Sequence, residues 1–123
     1  MKLDDSKPIF QQIKEYIEDM IINETLTIEE RVPSTNEFAK HYKINPATAA
    51  KGINELVDEG IIYKKRGVGM FVTEQAKEIV FQKRKSAFVT NYITPMKQEA
   101  AKLGLSYEDL VEMVTKEEEH NEN

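Results

Sequence analysis

The sequence has 123 residues and no cysteine, and 40% of its residues are hydrophobic against 32% charged. Such a chain forms one small domain with one modest core and an appendage, and the lack of cysteine excludes a disulfide scaffold, a thiol nucleophile and a cysteine metal site. The N-terminal segment has no apolar signal region and no window approaches the roughly 20 apolar residues of a membrane span, so we expect a cytoplasmic protein without membrane contact.

The formal net charge of -5 is unevenly distributed along the chain. Residues 1–30 carry 3 basic and 8 acidic side chains, residues 31–72 carry 7 and 4, and residues 73–123 carry 7 and 10. The middle segment is therefore the only positive one, with a net charge of +3. Because salt screens exposed charges beyond a Debye length of about 8 to 10 Å, this local charge matters more than the total for binding a polyanion.

The first predicted helix runs from Pro8 to Asn23. Proline suits the first helical position, where its missing N–H costs nothing, and apolar residues then recur every three or four positions with acids on the other face. These apolar residues are Ile9, Ile13, Tyr16, Ile17, Met20 and Ile21. We expect this helix to be structural, since two short helices cannot exclude enough water alone. The connector Glu24–Pro33 follows, with a brief strand near Thr27–Ile28.

Ser34 begins the second predicted helix. It is a good N-cap, and Glu37 three positions later completes a capping box, in which each side chain satisfies a backbone N–H of the first turn. The helix therefore starts at Thr35. Its short apolar face consists of Phe38, Ala39 and Tyr42.

A third helix is predicted from Pro46 to about Glu59. Asn45 is its capping residue, and Gly60 stands where a left-handed C-cap is wanted. Its apolar face contains Ala49, Gly52, Ile53 and Leu56. Two short helices joined by a turn of about four residues are the helix-turn-helix pattern.

Gly52 lies in the middle of this third helix, where glycine costs about 1 kcal/mol against alanine. We interpret it as the position at which the first helix of the helix-turn-helix packs close to the backbone of the second. The alternative is an accidental poor helix former.

The pattern changes to strands after Gly60. Two short runs, IIYKK and MFV, flank a turn in which Gly67 and Gly69 permit positive φ, which predicts a β-hairpin, or wing. Lys64, Lys65 and Arg66 cluster at its tip. We expect this basic tip to contact a phosphate backbone or a minor groove. In the alternative, the tip is a solvated turn whose lysines protect an edge strand from aggregation.

Residues 73–123 form a predicted helical tail. A long helix with a kink near Thr94–Pro95 should end at Gly104, because an interior proline removes one hydrogen bond and clashes one turn back. Ser106 with Asp109 forms a second capping box for a last helix to about Lys116, after which the acidic end should fray. The tail is too small for its own core, so its apolar face meets a second copy of the chain or, alternatively, packs back on the wing domain.

The segments INPATAAKGINELVDEGIIY and KRGVGMFV, with Pro33 and Ser34 before them, resemble the winged helix-turn-helix of the GntR family of bacterial transcription regulators, over about Ile9–Val72. Several positions are most similar to the YtrA subfamily, namely Asn45, Pro46, Thr48, Lys51, Glu55 and Leu56. The resemblance implies a mainly α fold with a small β-hairpin, made of a winged-helix DNA-binding domain at 1–72 and a C-terminal helical dimerisation appendage at 73–123. The short tail is also similar to YtrA-type proteins.

By that resemblance Ser34 and Thr48 bond phosphates, Asn45 caps its helix and contacts the backbone, and Ala47, Ala50 and Lys51 face the major groove. Arg66 and Gly67 form the wing contact. With their neighbours, the predicted DNA-binding residues are Ser34, Thr35, Asn36, Asn45, Ala47, Thr48, Ala50, Lys51, Lys65, Arg66 and Gly67.

Three positions depart from the family pattern. Asn36 and Ala50 replace frequent arginines, and Ala47 replaces the usual asparagine of the subfamily. Alanine can touch a thymine methyl group but cannot hydrogen-bond a guanine edge, and each missing bidentate pair forfeits about 1 to 3 kcal/mol of discrimination. We therefore expect an A·T-rich or shape-dependent operator and binding that is strongly sensitive to salt.

These features predict a sequence-specific, dimeric protein that binds an inverted-repeat operator in double-stranded DNA. The resemblance implies a transcription regulator that represses a neighbouring transporter operon. The alternative is a winged-helix protein-interaction module with weak or no specific DNA binding. An enzyme is disfavoured, because the chain has no glycine-rich phosphate loop, no Ser/His/Asp set and no metal-spaced ligands. His41 and His120 lie at a helix end and in the tail, so no metal or cofactor is expected.

A small-molecule effector is left open by the sequence. A small cavity between the tail helices and the wing would have four apolar side chains nearby, Met70, Phe71, Phe81 and Phe88. Aromatic residues at helical spacing are more commonly core residues.

Overall fold

The structure is a computed structural model in which residues 1–116 are described. The helices are α1 (Ile9–Ile22), α2 (Thr35–Tyr42), α3 (Pro46–Asp58), α4 (Ala76–Phe88), α5 (Thr94–Lys102) and α6 (Tyr107–Thr115). The strands are β1 (Arg31–Val32), β2 (Ile62–Lys65) and β3 (Gly69–Val72). The mainly α fold with a small sheet is confirmed. Among the described residues, no helix is both long and apolar enough to cross a bilayer.

The chain divides into two units, Met1–Lys83 and a second that begins at Arg84. The division falls within α4, whereas the sequence predicted a boundary after Val72. The reason is that Ala76 and Val80, in the first half of α4, are buried in the core of the first unit.

The core of the first unit lies between α1, α3 and the sheet. The fully buried side chains include Ile13, Ile17, Ile53, Leu56, Ile61, Ile62, Val32 and Val72. The helical spacing of the α1 isoleucines places them on one face, so α1 has the structural role in the core that its pattern predicts. It begins at Ile9, with Pro8 as the residue before the first turn.

The ends of α2 and α3 lie where the capping residues predict them. The side chain of Ser34 accepts from the N–H of Glu37 at 3.1 Å, and the Glu37 carboxylate accepts from the N–H of Ser34 at 2.8 Å. Asn45 caps α3, and Gly60 follows it with φ at +80°.

The sheet has three antiparallel strands in the order β1-β3-β2. The predicted hairpin is therefore joined by β1, in which Arg31 pairs with Phe71. The brief strand predicted near Thr27–Ile28 is wrong. That segment forms a turn instead, since the N–H of Glu30 donates to the carbonyl of Thr27 at 3.0 Å and Glu29 has a φ of +68°.

Gly52 is a site of close helix packing, but its neighbour is α1 rather than α2. A Cβ atom at this position would lie 2.8 Å from the carbonyl oxygen of Phe10 and 3.4 Å from Ile13 Cβ. The prediction of a crowded glycine is correct in position and wrong in the helix pair, because two nearby helices of similar apolar pattern cannot be distinguished by periodicity.

A partly buried ion network joins α1, α3 and α4. Lys14 Nζ lies 2.9 Å from a carboxylate oxygen of Glu55 and 2.6 Å from one of Glu59, and Lys83 bridges Glu59 and Glu18. Only 7% of the Lys14 side chain and 1% of the Glu18 side chain are exposed. This network was not predicted, because the sequence pattern placed the acids of α1 only on the face opposite its apolar residues.

The network shifts the protonation of two of its members. Burial raises the pKa of Glu59, but hydrogen bonds from Lys14 and Lys83 outweigh it, and the net pKa is below its ordinary value. Burial likewise lowers the pKa of Lys14, and the bonds to Glu55 and Glu59 outweigh it, so that pKa is raised. Both shifts favour the charged forms.

In the second unit, α4 continues through a π-helical turn at Val89–Ile93 into α5. The N–H of Thr94 donates to the carbonyl of Val89, and Pro95 follows in the first turn of α5. The widened turn accommodates the proline at the predicted site of helix distortion. Gly104, with φ at +74°, ends α5, and the capping box of Ser106 starts α6 as predicted. The predicted frayed acidic end lies outside the described residues.

Candidate nucleic-acid interface

The start of α2 presents three of the predicted DNA-binding residues. Ser34 and Thr35 are half-buried and Asn36 is exposed. Because the Ser34 oxygen accepts the capping bond from Glu37, its hydroxyl proton is free to donate outward. The capping carboxylate is also charged, since its bonds to Ser34 hold the pKa of Glu37 below its ordinary value.

The start of α3 is ordered by its own cap. Asn45 Oδ1 accepts from the N–H of Ala47 at 2.8 Å, which leaves the two amide hydrogens of Asn45 as donors. Pro46 supplies the fixed φ of a first helical position. The helix N-terminus also carries partial positive charge, which favours a phosphate nearby.

The exposed face of α3 is defined by its burial pattern. Ala47, Lys51, Asn54 and Asp58 are exposed at spacings of four, three and four residues, which is one stripe of a helix. Ala50 was expected to be exposed with Ala47 and Lys51, and it is half-buried, because its position turns it toward the side of the stripe. Asn54 was not among the predicted residues, although the helical spacing of Asn54 from Ala47 and Lys51 would have placed it on this stripe.

The wing is the hairpin between β2 and β3. Its last pair joins Lys65 to Gly69, and the N–H of Val68 donates to the carbonyl of Lys65 at 2.9 Å. Arg66 and Gly67 occupy the exposed tip. Gly67 has a φ of +77°, and a Cβ atom at this position would have no heavy atom within 4 Å, so the backbone angle rather than space requires glycine there.

The cations of this region are left uncompensated by the described carboxylates. Six of the seven basic residues between 31 and 72 are exposed and make no ion pair with a carboxylate of residues 1–116, namely Lys40, Lys43, Lys51, Lys64, Lys65 and Arg66. The carboxylates of Glu55 and Glu59, by contrast, are paired with Lys14 and Lys83 from α1 and α4. The local positive field is therefore stronger than the +3 count of this segment suggests.

Two of the three aromatic residues that the sequence linked to an effector cavity lie outside the core. Phe81 and Phe88 are 44% and 53% exposed. A separate cleft of about 440 Å³ lies in the first unit, between α1 and α2. Its lining includes three packed aromatic rings, Tyr16, Phe38 and Tyr42. No group of three His, Asp or Glu side chains within residues 1–116 could hold a metal ion.

The predicted interface lies within a segment that has a known family pattern. The model of the gntR family of bacterial regulatory proteins matches residues 9–72, which contain α1 to α3 and the whole sheet. The chain belongs to the GntR family. That membership makes it a transcription regulator rather than an enzyme and confirms the winged-helix prediction.

Two relatives illustrate the similarity of this GntR protein. It is 29% identical over 107 residues to YhcF, an uncharacterized HTH-type transcriptional regulator of Bacillus subtilis, with 87% of each chain covered. It is also 35% identical over 72 residues to the HTH-type transcriptional repressor YtrA of the same organism. That second match covers 58% of this chain and 55% of YtrA, so it spans about half the length of that relative.

Solved structures give the same assignment. A GntR family transcriptional regulator from Listeria monocytogenes has a TM-score of 0.77 and 33% identity, and the match covers 94% of this chain and all of that one. The DNA-binding domain of AraR in complex with operator ORR3 has a TM-score of 0.53 and 27% identity, over 59% of this chain and 88% of that one.

Proposed function

We propose that this GntR protein is a homodimeric repressor that binds an inverted-repeat operator in double-stranded DNA through α3 and the wing. The name of YtrA describes a repressor, and the AraR domain is bound to operator DNA. The observation that carries the proposal is the set of exposed cations on α2, α3 and the wing, together with the pairing of the nearby Glu55 and Glu59 carboxylates with lysines from other helices.

Each part of the interface has a distinct task in this proposal. The hydroxyl groups of Ser34 and Thr48 and the cap of Asn45 hold phosphates, and these contacts set the position of α3 on the duplex. The exposed stripe of α3 then reads base edges in the major groove. Lys51 can donate to a guanine edge, and Asn54 can make a bidentate contact with adenine.

The electrostatic part of the proposal is tested by salt dependence. We expect the affinity for duplex DNA, measured by fluorescence anisotropy, to fall steeply between low and physiological salt. Lys51→Ala should weaken binding and reduce the slope of log K against log salt by about 1. Lys102→Ala, which removes the same charge from an exposed position of α5, is the matched control and should leave the slope unchanged. A wild-type protein with no salt slope would contradict DNA binding.

The homodimer is proposed from the apolar surface of the second unit. Among its described residues Ala100 is the one buried hydrophobic side chain, while nine large ones are between 37% and 72% exposed. These are Phe88, Val89, Tyr92, Met96, Leu103, Tyr107, Val111, Met113 and Val114. A surface of this kind on a small regulator marks an interaction site, and a two-fold copy of the same chain would cover it.

Sedimentation equilibrium tests the dimer. Tyr92→Glu places a charge among the exposed apolar residues and should yield a monomer that loses tight binding to a two-half-site operator. Thr90→Glu adds the same charge at a polar, exposed position of the same turn and should leave the dimer intact. A wild-type protein that is monomeric at micromolar concentration would refute the dimer without refuting DNA contact by one domain.

The operator is proposed from the alanines of α3 and from the two-fold dimer, and the regulated genes are proposed from the resemblance alone. We propose an A·T-rich or shape-dependent inverted repeat and a neighbouring transporter operon, and sequencing of the genomic fragments retained by the protein tests both. The competing function is a protein-interaction module, for which the winged helix would not need specific DNA contacts. Equal affinity for the best retained fragment and for random duplex at physiological salt would favour that module.

A further inference from the structure

Phe10, on α1, touches α3 at two adjacent positions. Its half-buried ring lies beneath Lys51, with Nζ of the lysine 4.4 Å from the ring centroid. Its carbonyl oxygen lies against Gly52, 2.8 Å from where a Cβ atom would stand. Because the absent side chain at Gly52 lets the α1 backbone approach this closely, the ring reaches the lysine on the exposed face of α3.

The wing has a second pair of the same kind. Lys65 Nζ lies 5.1 Å from the centroid of the Phe71 ring, and Phe71 is held by the strand pairs with Arg31 and Tyr63. A cation over an aromatic face is attracted by the ring quadrupole. Two lysines of the proposed DNA interface, Lys51 on α3 and Lys65 on the wing, therefore each lie over an aromatic ring from a neighbouring element.

We propose that Phe10 is a positioning residue of the DNA interface, which holds the Lys51 ammonium group over its ring before DNA arrives. The inference rests on the proposed function and assigns α1 a part in recognition that the sequence reasoning did not give it. The ring occupies one side of the ammonium group, so N–H groups on its other side can donate to a phosphate or a base edge. A lysine restrained in this way loses less side-chain freedom on binding, which increases affinity.

A double-mutant cycle tests the inference. Dissociation constants for one duplex are measured by fluorescence anisotropy for the wild type, Phe10→Leu, Lys51→Met and the double variant. Leucine keeps an apolar side chain without a ring, and methionine keeps the lysine stem without its charge. We expect Phe10→Leu to weaken binding about two- to fivefold when Lys51 is present, and to have no further effect when position 51 is methionine. Phe10→Tyr, which keeps the ring, should retain the wild-type affinity within about twofold.

Two different failures are distinguishable in this cycle. An equal loss from Phe10→Leu in both backgrounds would refute the positioning of Lys51 and leave the proposed DNA contact standing. Wild-type affinity of Lys51→Met would instead refute the DNA contact of that lysine, and the inference with it.

The unmodified protein gives an independent measurement in case Phe10→Leu fails to fold. When an ammonium group lies over an aromatic face, the ring current shifts the proton resonances of the adjacent methylene group upfield. We expect the ε protons of Lys51 to show this shift in the NMR spectrum of the free protein, whereas those of Lys102 should not. Lys51 ε protons at the ordinary lysine position would overturn the proposal.

Discussion

Replacement of Gly52 by alanine should destabilise the first unit, although alanine is the better helix former. The new Cβ atom would lie 2.8 Å from the Phe10 carbonyl oxygen and 3.4 Å from two carbon atoms of Ile13. The first distance is shorter than 3.0 Å, a separation that real Cβ atoms essentially never show. The crowding atom belongs to the backbone of α1 and cannot rotate away, so α1 and α3 must separate.

Two opposing energies decide the size of the effect. Alanine gains about 1 kcal/mol over glycine in a helix interior, and overpacking a core costs about 1 to 3 kcal/mol. Because a helix backbone must move, we place the cost at about 2 to 3 kcal/mol and expect a net loss of about 1 to 2 kcal/mol in the free energy of unfolding. The displacement would also withdraw the Phe10 ring from Lys51.

Urea denaturation followed by circular dichroism measures this change. Asn54 offers the matched control, because it is exposed in the same helix and the variants Asn54→Gly and Asn54→Ala differ by one Cβ atom. The difference in the free energy of unfolding between these two variants measures helix propensity alone, and the alanine variant should be the more stable one. If Gly52→Ala stabilised the protein by as much as alanine does at position 54, the close approach of α1 would be refuted.

Further predictions concern the caps and the ion network. Ser34→Ala should lower the free energy of unfolding by about 1 kcal/mol in urea titrations, whereas retention of wild-type stability would mean that the capping box contributes nothing. The lowered pKa of Glu59 stabilises the fold above its unfolded value of 4.5, and this contribution is lost as pH falls through the lower folded value. The urea concentration at the unfolding midpoint should therefore decrease as the pH is lowered below about 4.5. The decrease should be smaller in Glu59→Gln, and an equal decrease in both proteins would contradict the assignment of this effect to Glu59. Lys14→Met should lower the free energy of unfolding by about 1 to 3 kcal/mol at neutral pH. This is less than the loss from breaking a fully buried pair, because Glu55 and Glu59 remain about one-third exposed. A more stable variant would show that the charge is dispensable.

The helix ends were predictable because their determinants are local. Ser34 and Ser106 each lie three residues before the acid that completes the capping box, and both boxes form. The glycine C-caps and the distortion before Pro95 depend on backbone geometry that one or two residues decide. The residues that carry the family resemblance are partly the same ones, because turn and cap residues form much of the family pattern.

The features that could not be predicted depend on contacts between distant parts of the chain. The position of β1 is decided by its pairing with β3, forty residues later in the chain for Arg31 and Phe71. Lys14 finds its partners on α3, and no periodicity in α1 distinguishes a charge that is paired from one that is solvated. Asn54 is a different case, because its helical spacing from Lys51 is a local signal that already places it on the exposed stripe of α3.

The contact between Phe10 and α3 has a consequence for engineered hybrid repressors. Grafting α3 alone onto the scaffold of another regulator would separate Gly52 from the carbonyl group it accommodates. A donor segment that includes residues 9–13 of α1 together with α3 would preserve both halves of this contact. Chimeras with altered operator choice should therefore exchange the two helices as a matched set.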